Sequence, residues 1–350
     1  MRYRKLGTSK VDVSVICLGT MTFGEQTDEA ESFRQMDYAF AHGVNFWDTA
    51  EMYSVPVRAQ TYGRSEEIIG NWIKANAEKR EKLVLATKVV GPSGLKYIRP
   101  HLHEHGPRLQ RQSILEACEA SLKRLQSDYI DLYQIHWPAR NTNMFDRLGY
   151  EHKGDEALNS IEETLATLGE LVKSGKVREV GLSNETPWGV MEYLRLHKQK
   201  DLPRMQSIQN PYNLLKRDYE IGLAEMSCRS HIGLLAYSPL AMGVLSGKYL
   251  QEQMPEGSRM KLFGHHFPRY MSTRAQSETA KYVGLAKEFG LDPAMMANSF
   301  VNDQPFVTSN IIGATTLAQL KIAIQSESLT LPQECLQRIQ QLHQANPVGY

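Results

Sequence analysis

The segment from Ser113 to Trp137 reads SILEACEASLKRLQSDYIDLYQIHW and contains both halves of a pattern that recurs along the chain. Its first part, Ser113 to Leu125, has apolar residues at helical spacing, and Ser113 stands where a helix N-cap is expected. Its second part, from Tyr129, is a short apolar run that predicts a buried strand. Helices alternating with buried strands are typical of α/β proteins with a parallel sheet.

The same alternation extends through all 350 residues. Eight βα units predict a closed (β/α)8 TIM barrel that forms one domain over residues 1–350. The predicted strands are VICLG from Val15, VNFWDTA from Val44, LVLATKV from Leu83, YIDLYQIHW from Tyr129, VREVGLSN from Val177, MQSIQNPY from Met205, GLLAYSPL from Gly233 and SNIIGAT from Ser309. Other helical segments include Asp28 to His42, with Asp28 as N-cap, Ser65 to Ala77 and Ile161 to Lys173. Helices are expected to stop at Gly70, Gly175 and Gly290.

An open, doubly wound sheet is the main alternative, because it shows the same alternation of strands and helices. Its G-x-G-x-x-G turn is missing from the sequence, and so is the phosphate loop G-x-x-x-x-G-K-[ST]. The barrel is therefore the prediction. Any dinucleotide would have to be held without a Rossmann turn.

Four segments outside the alternation complete the predicted barrel. The opening stretch has Gly7-Thr8-Ser9 between two extended runs, which indicates a β-hairpin that plugs the bottom of the barrel. Long insertions run from Gly91 to Gln112, from Pro138 to Asn159 and from Leu250 to Ser277. Loops that follow barrel strands lie on the C-terminal face, so we expect the first two insertions to border a substrate pocket.

The composition points to a small-molecule partner. The formal charge is +1 with dispersed cationic residues, so neither nucleic acid nor an anionic membrane is indicated. No apolar run is long enough for a signal peptide or a membrane span, and the four cysteines form no CxxC, so we expect a cytoplasmic protein without disulfides. His101, His103 and His105 could share a metal, but no cysteine or paired carboxylate accompanies them, and we predict no metal. An oligomer is possible but not indicated.

Polar side chains stand at the ends of three successive predicted strands, with a fourth one short loop further on. Asp48 ends VNFWD, Lys88 ends LVLATK, His136 ends IDLYQIH, and Tyr53 follows Asp48. Each residue alone has a structural explanation as a cap, a solvated terminus, a core histidine or a packed aromatic. Together they suit carbonyl reduction: Tyr53 donates a proton, Lys88 lowers the phenol's pKa, Asp48 balances the ammonium, and His136 orients the carbonyl.

Motifs along the whole chain resemble those of the aldo-keto reductase superfamily. They are DTAEMY (Asp48 to Tyr53), ATK (Ala86 to Lys88), LYQIHWP (Leu132 to Pro138), GLSNE (Gly181 to Glu185), IQNPYN (Ile208 to Asn213), AYSPLAMGVLSGKY (Ala236 to Tyr249) and IIGATTLAQL (Ile311 to Leu320). The resemblance implies a TIM barrel that uses NADP(H) to reduce an aldehyde or ketone, with Tyr53 as the general acid of a tetrad completed by Asp48, Lys88 and His136.

The resemblance also implies the contacts of the cofactor. Ser183, Asn184 and Gln209 match positions that bind the nicotinamide carboxamide, Tyr237 matches the aromatic beneath its ring, and Arg259 matches a cation near the 2′-phosphate. The remaining implied contacts are Thr20, Met21, Asp48, Ser238, Pro239, Leu240, Gly243, Lys248, Gly313, Thr315 and Gln319. Ile322 and Ala323 depart from the family's pattern, which has Glu and Asn there, and so lack hydrogen-bonding groups expected at the adenine.

The substrate itself is less defined than the chemistry. Besides Tyr53 and His136, we expect Trp137, Phe23, Met21 and Tyr212 to shape the pocket, and such an aromatic lining accepts many carbonyl compounds. Two other function classes remain open. One is an NADP(H)-binding regulatory or sensor subunit with little turnover, and the other is a hydrolytic or lyase barrel without redox chemistry.

Overall fold

A computed structural model describes residues 1–145, 149–152, 160–266 and 268–350. Eight parallel strands close into a barrel, preceded by a two-stranded antiparallel hairpin. The strands are β1 (Tyr3–Lys5), β2 (Asp12–Ser14), β3 (Ile16–Gly19), β4 (Phe46–Asp48), β5 (Val84–Val89), β6 (Ile130–Ile135), β7 (Val177–Ser183), β8 (Met205–Pro211), β9 (Gly233–Tyr237) and β10 (Val307–Gly313). The barrel order is β10-β3-β4-β5-β6-β7-β8-β9, so the predicted TIM barrel and all eight predicted strands are confirmed.

Helices surround the barrel. The α-helices of the described residues are α1 (Glu29–Ala41), α2 (Arg64–Ala75), α3 (Arg111–Leu125), α4 (Ile161–Lys173), α5 (Pro187–Lys200), α6 (Leu223–Ser230), α7 (Arg259–Phe263), α8 (Thr273–Glu288), α9 (Pro293–Asn302), α10 (Leu317–Gln325) and α11 (Gln333–Ala345). Short 3-10 segments span Ala77–Lys82, Asp218–Glu220, Ala241–Ser246, Leu250–Glu252, Gly264–His266, Pro268–Tyr270 and Ser326–Ser328. Across the described ranges, no helix combines the length and apolar character needed to cross a membrane.

The hairpin β1–β2 closes the N-terminal end of the barrel, as predicted. Leu6 and Val13 are fully buried and pack with interior residues of the barrel strands such as Phe46 and Leu132. The turn at Gly7 has a φ of 60° and lies so close to Gln206 that a Cβ would meet its backbone oxygen at 2.4 Å. Because this end is sealed by side chains, any ligand must enter from the opposite, C-terminal end.

Strand register brings the polar strand ends to one level. Asp48 of β4 pairs with Gly19 of β3 and Ala86 of β5, and Lys88 pairs with Gln134 of β6. The strands are parallel, so their carboxyl ends meet at the same mouth. This register explains how residues 40 positions apart, such as Asp48 and Lys88, come into contact.

Helix boundaries agree with several sequence predictions. Asp28 caps α1 by accepting a hydrogen bond from the backbone of Glu31 at 2.8 Å. The predicted helix over 161–173 is observed with the same bounds. Gly175 and Gly290 follow helix ends with φ values of 76° and 66°, a left-handed conformation that glycine adopts at low cost.

Two helix predictions are wrong. Ser113 does not cap α3, which begins at Arg111 after Gln110; its hydroxyl instead accepts a hydrogen bond from Arg99 at 3.0 Å. Gly70 does not end a helix but lies inside α2, where a Cβ would meet the backbone oxygen of Arg124 at 2.0 Å. The glycine is therefore needed for the close approach of α2 and α3.

The described residues of the three insertions form different structures. Val90, Ile98 and Trp137 form a buried cluster that joins the insertion over 91–112 to the beginning of the one over 138–159. Residues 146–148 and 153–159 of the second insertion lie outside the described residues. The third insertion, 250–277, is not a plain loop, because it contains α7 and the start of α8.

Candidate active site

A cavity of about 930 Å³ opens at the C-terminal end of the barrel. Strand ends line it together with Phe145 of the second insertion and Arg259 of the third. No residue of the first insertion, 91–112, all of which the structure describes, lines it, contrary to the expectation that this insertion borders the pocket. The predicted site residues that line it are Thr20, Met21, Asp48, Tyr53, His136, Trp137, Ser183, Asn184, Gln209, Tyr237, Ser238, Pro239, Leu240, Gly243, Lys248, Arg259, Gly313, Thr315 and Gln319. Lys88 lies directly behind this lining and is fully buried.

The buried ion pair between Lys88 and Asp48 lies at the base of the cavity. Lys88 Nζ donates to Asp48 Oδ2 at 2.6 Å and to the backbone oxygen of Thr49 at 2.7 Å. The other carboxylate oxygen of Asp48 accepts from the side-chain amides of Gln134 at 3.0 Å and Gln209 at 2.9 Å. Burial by itself would lower the pKa of Lys88, but Asp48 and the Tyr53 phenol outweigh it and the net shift is upward. Lys88 is therefore held as a cation.

Tyr53 stands between this ammonium and the cavity. Lys88 Nζ lies 4.8 Å from the centroid of the Tyr53 ring, and the ring of His136 lies 5.7 Å away at 78°. Burial raises the pKa of the phenol, and Lys88 lowers it by charge and by hydrogen bonding. The net shift is upward, because desolvation is larger than the effect of the ammonium. The sequence prediction had the direction of the Lys88 effect right but omitted the opposing cost of burial.

His136 contributes a neutral imidazole to the same end of the cavity. Its side chain is almost completely buried, and desolvation, followed by the charge of Lys88, holds its pKa well below the usual value. Its Nδ1 has no hydrogen-bond partner within the described part of the chain. A neutral histidine can donate one hydrogen bond and accept another, so it can contact a carbonyl oxygen without carrying charge.

Amide and hydroxyl groups form the neighbouring wall. Ser183 donates to the backbone oxygen of Gln209 at 2.8 Å, and the Asn184 amide donates to Ser183 and to the backbone oxygen of His136. Tyr237 donates its hydroxyl hydrogen to Asn184 Oδ1 at 2.8 Å. Both amide hydrogens of Asn184 are therefore used within the protein, and its oxygen is the atom left with a further lone pair.

Cationic side chains also line the cavity: Lys248, Arg269 and the half-buried Arg259, which is near enough to Tyr53 for its charge to act against the rise in the phenol's pKa. The loop that follows β9 lies beside Lys248. In this loop Ser238, Met242 and Gly243 have φ values of 56°, 59° and 95°. Left-handed residues next to right-handed ones form backbone concavities that bind anions, so loop and cations together suit a phosphate group.

Comparison with known proteins agrees with this geometry. The model of the Aldo/keto reductase family matches residues 15–344. The chain is 49% identical to Protein tas of Escherichia coli over 346 residues, 98% of each chain, and 34% identical to the Uncharacterized oxidoreductase YrpG of Bacillus subtilis, covering 97% of this chain and 95% of that one. It is 30% identical to a Probable voltage-gated potassium channel subunit beta of Arabidopsis thaliana, over 99% and 98% of the two chains.

The chain belongs to the aldo/keto reductase family.

Among the site residues of this aldo/keto reductase that were missed from sequence, two bind the Lys88–Asp48 pair directly. Gln134 binds Asp48 directly, and the backbone oxygen of Thr49 binds Lys88. A signal for Gln134 was present, because it is a polar residue inside the apolar run IDLYQIH and shares a strand face with His136 two positions on. A backbone acceptor such as the oxygen of Thr49 leaves no signal in the side-chain pattern.

Two residues expected to shape the substrate pocket do not line the cavity. Phe23 is fully buried in the main hydrophobic core. Tyr212 is also fully buried, packs against Phe306 and donates its hydroxyl hydrogen to Glu220 at 2.6 Å. Both predictions rested on position in a loop, which does not fix the direction of a side chain.

The histidine-rich stretch does not form a metal cluster. His101 Nε2 lies 2.7 Å from Glu116 Oε2, and the pair is exposed. Among the residues that the structure describes, no group of three or more His, Cys, Asp or Glu has the arrangement of a metal site. The second histidine of the stretch, His103, has its pKa lowered by burial and by Arg99.

Proposed function

We propose that this aldo/keto reductase uses NADPH to reduce an aldehyde or ketone, with Tyr53 as the general acid. The bound cofactor supplies the hydride. The observation that carries the proposal is the fully buried Lys88, which is paired with Asp48, lies against the ring of Tyr53 and is located directly behind the cavity that Tyr53 and His136 line. Saturable binding of NADPH would count against a hydrolytic or lyase barrel, which has no use for a nicotinamide dinucleotide.

In the proposed proton transfer, Tyr53, Lys88, Asp48 and His136 each have a separate role. As the carbonyl carbon gains the hydride, its oxygen takes the hydroxyl proton of Tyr53. The phenolate left behind is stabilised by the ammonium of Lys88, whose own charge is balanced by Asp48. His136, kept neutral by its lowered pKa, donates a hydrogen bond to the carbonyl oxygen and fixes its direction.

The donors that line the cavity fit a nicotinamide dinucleotide. Ser183, Gln209 and the remaining lone pair of Asn184 would hold the carboxamide, with Tyr237 beneath the ring. Lys248 would offset the charge of the pyrophosphate. Arg259 would bind the 2′-phosphate and so favour NADPH over NADH.

The implied contacts continue through the rest of the lining. The loop residues Ser238, Pro239, Leu240 and Gly243 would follow the pyrophosphate, and Thr20, Met21, Gly313, Thr315 and Gln319 would complete the wall. Ile322 and Ala323 also line the cavity and offer only apolar contacts to the adenine. Trp137, Tyr53 and His136 would border the substrate.

The proposal includes a single barrel domain in the cytosol. Support for one domain comes from the family match over residues 15–344. All four cysteines are free thiols, three of them buried, which agrees with a reducing compartment.

A cofactor-binding regulatory subunit is the alternative, in keeping with the name of the Arabidopsis relative. Binding alone does not require a proton donor. Retention of Tyr53 beside Lys88 therefore favours catalysis.

The test is a fluorescence titration with NADPH and NADH, followed by NADPH oxidation with 4-nitrobenzaldehyde. We expect saturable binding of both, tighter for NADPH, and aldehyde-dependent oxidation. Binding without oxidation of NADPH by any of several reactive aldehydes would support the regulatory alternative. No saturable signal with either nucleotide would contradict both functions.

A further inference from the structure

The loop that carries Tyr53 also carries a buried carboxylate that does not face the cavity. Glu51 lies between Asp48 and Tyr53 and is fully shielded from solvent. Its Oε1 accepts a hydrogen bond from the backbone of Val90 at 2.7 Å. Its backbone nitrogen donates to the backbone oxygen of Lys88 at 3.3 Å. Glu51 therefore holds the end of β5 at the two peptide units that flank Val89.

Glu51 is held in turn by an arginine from the insertion over 91–112. Arg99 donates from Nη1 to Oε2 at 2.5 Å and from Nη2 to Oε1 at 3.1 Å, a two-pronged contact. Tyr62 adds a hydrogen bond to Oε2 at 2.9 Å. With Val90, the carboxylate thus has four donors, which is enough to fix both oxygen atoms.

Arg99 is itself fixed in an uncommon conformation. Its φ is 50°, in the left-handed region that side chains other than glycine rarely adopt. Its Nε donates to Ser113 at the start of α3, and its side chain is almost completely buried. Such a backbone conformation persists where surrounding contacts over-determine it. The insertion is therefore attached to the Tyr53 loop through a rigid contact.

We propose that Glu51, clamped by Arg99, is a positioning residue that sets the place of the Tyr53 hydroxyl relative to the Lys88 ammonium. Only Met52 separates Glu51 from Tyr53, whose backbone nitrogen donates to the backbone oxygen of Ala50 at 3.0 Å and closes a turn. A shift of Glu51 therefore moves the phenol. The inference rests on the proposed function, because it concerns the proton that Tyr53 gives up.

The test uses Glu51→Gln and Arg99→Met, assayed with NADPH and 4-nitrobenzaldehyde in H₂O and in D₂O. Rates are expressed per NADPH-binding site, so that loss of folded protein does not count. We expect the rate to fall about tenfold or more, because small displacements of reacting groups are costly. We also expect a larger solvent isotope effect, because proton transfer from a displaced phenol becomes slower.

Asp131→Asn is the matched control. Asp131 is also buried and ion-paired, with Arg80 and Arg178, but it lies at the N-terminal end of β6. Its loss should lower stability and leave the per-site rate and the isotope effect unchanged. A per-site rate and isotope effect in Glu51→Gln equal to those of the unmodified protein would overturn the inference.

Two further variants keep the outcome clear. If Glu51→Gln does not fold, the Arg99 variants carry the test. The per-site rate of Arg99→Lys should fall less than that of Arg99→Met, because lysine keeps the positive charge but cannot make the two-pronged contact. If Arg99→Lys, Arg99→Met and the unmodified protein all have the same per-site rate, the positioning role of Glu51 is rejected. Tyr53→Phe is assayed in parallel. If this variant turns over at the normal rate, the proposed function itself fails. If Tyr53→Phe is slow but Glu51→Gln is normal, the proposed function stands and only the positioning role of Glu51 is rejected.

Discussion

At the scale of single residues, the Lys88–Asp48 pair belongs to the candidate site and also affects the stability of the protein. Both groups are buried, and their mutual contact at 2.6 Å offsets the loss of hydration. Lys88→Met leaves the Asp48 carboxylate buried without a cation. We expect the free energy of unfolding to fall by about 3–5 kcal/mol, measured by urea denaturation.

The double variant is the control for this interpretation. Asp48→Asn combined with Lys88→Met should be clearly less destabilised than the sum of the two single changes, because no unpaired charge remains. Additive effects would mean that the two groups are not energetically coupled.

The buried His136 predicts how stability depends on pH. Its pKa in the folded protein is well below the value of about 6.5 in an unfolded chain. Between these two values the unfolded chain binds a proton that the folded protein does not, so stability falls as the pH drops below 6.5.

His136→Gln should therefore show a shallower loss of stability between pH 6.5 and 5, by up to about 1.4 kcal/mol per pH unit. His103 and His343 also have lowered pKa values and keep part of the slope in the variant. Chemical denaturation across this range measures the difference. Identical slopes would show that His136 is not desolvated in the folded protein.

At the scale of elements, the packing of α2 on α3 depends on one glycine. A Cβ at Gly70 would meet the backbone oxygen of Arg124 at 2.0 Å, so Gly70→Ala forces the helices apart. We expect a loss of about 1–3 kcal/mol in the free energy of unfolding. Gly284, inside α8, has nothing within 4 Å of its Cβ position, and Gly284→Ala should instead stabilise by about 0.5–1 kcal/mol. Equal effects of the two changes would contradict the close contact.

The strands were easier to predict from the sequence than the helix boundaries. Strand positions followed from apolar runs, because a strand buried on both faces has few alternatives. The start of α3 did not, because the Ser113 hydroxyl that was expected to cap it binds Arg99 instead. The role of Gly70 was also missed, because the sequence does not distinguish a glycine that allows close helix contact from a glycine that ends a helix.

At the scale of the whole molecule, the hydrophobic plug and the candidate site lie at opposite ends of the barrel. Leu6 plugs the N-terminal end and is fully buried, so Leu6→Ala should lower the free energy of unfolding by about 2–5 kcal/mol. The rate of NADPH oxidation and the affinity for NADPH should not change at a temperature where the variant is folded. A lower rate in the folded variant would show that the plug reaches the site.

The sequence predicted the polar residues at the strand ends of the candidate site, but not the buried residues that hold the Tyr53 loop in place. Asp48, Lys88 and His136 were recognisable because polar residues at the ends of apolar strands are unusual. Glu51 and Arg99 were not, because they lie 48 residues apart and nothing local marks them as partners. Phe23 and Tyr212 were misplaced for the same reason: their directions depend on tertiary packing.

The most direct test of the central claim concerns the hydroxyl of Tyr53. Tyr53→Phe keeps the ring and removes the proton donor. With NADPH and 4-nitrobenzaldehyde, followed by absorbance at the wavelength of NADPH, we expect turnover to fall about 100-fold or more while the affinity for NADPH stays the same. Turnover of the phenylalanine variant at the rate of the unmodified protein would contradict the account.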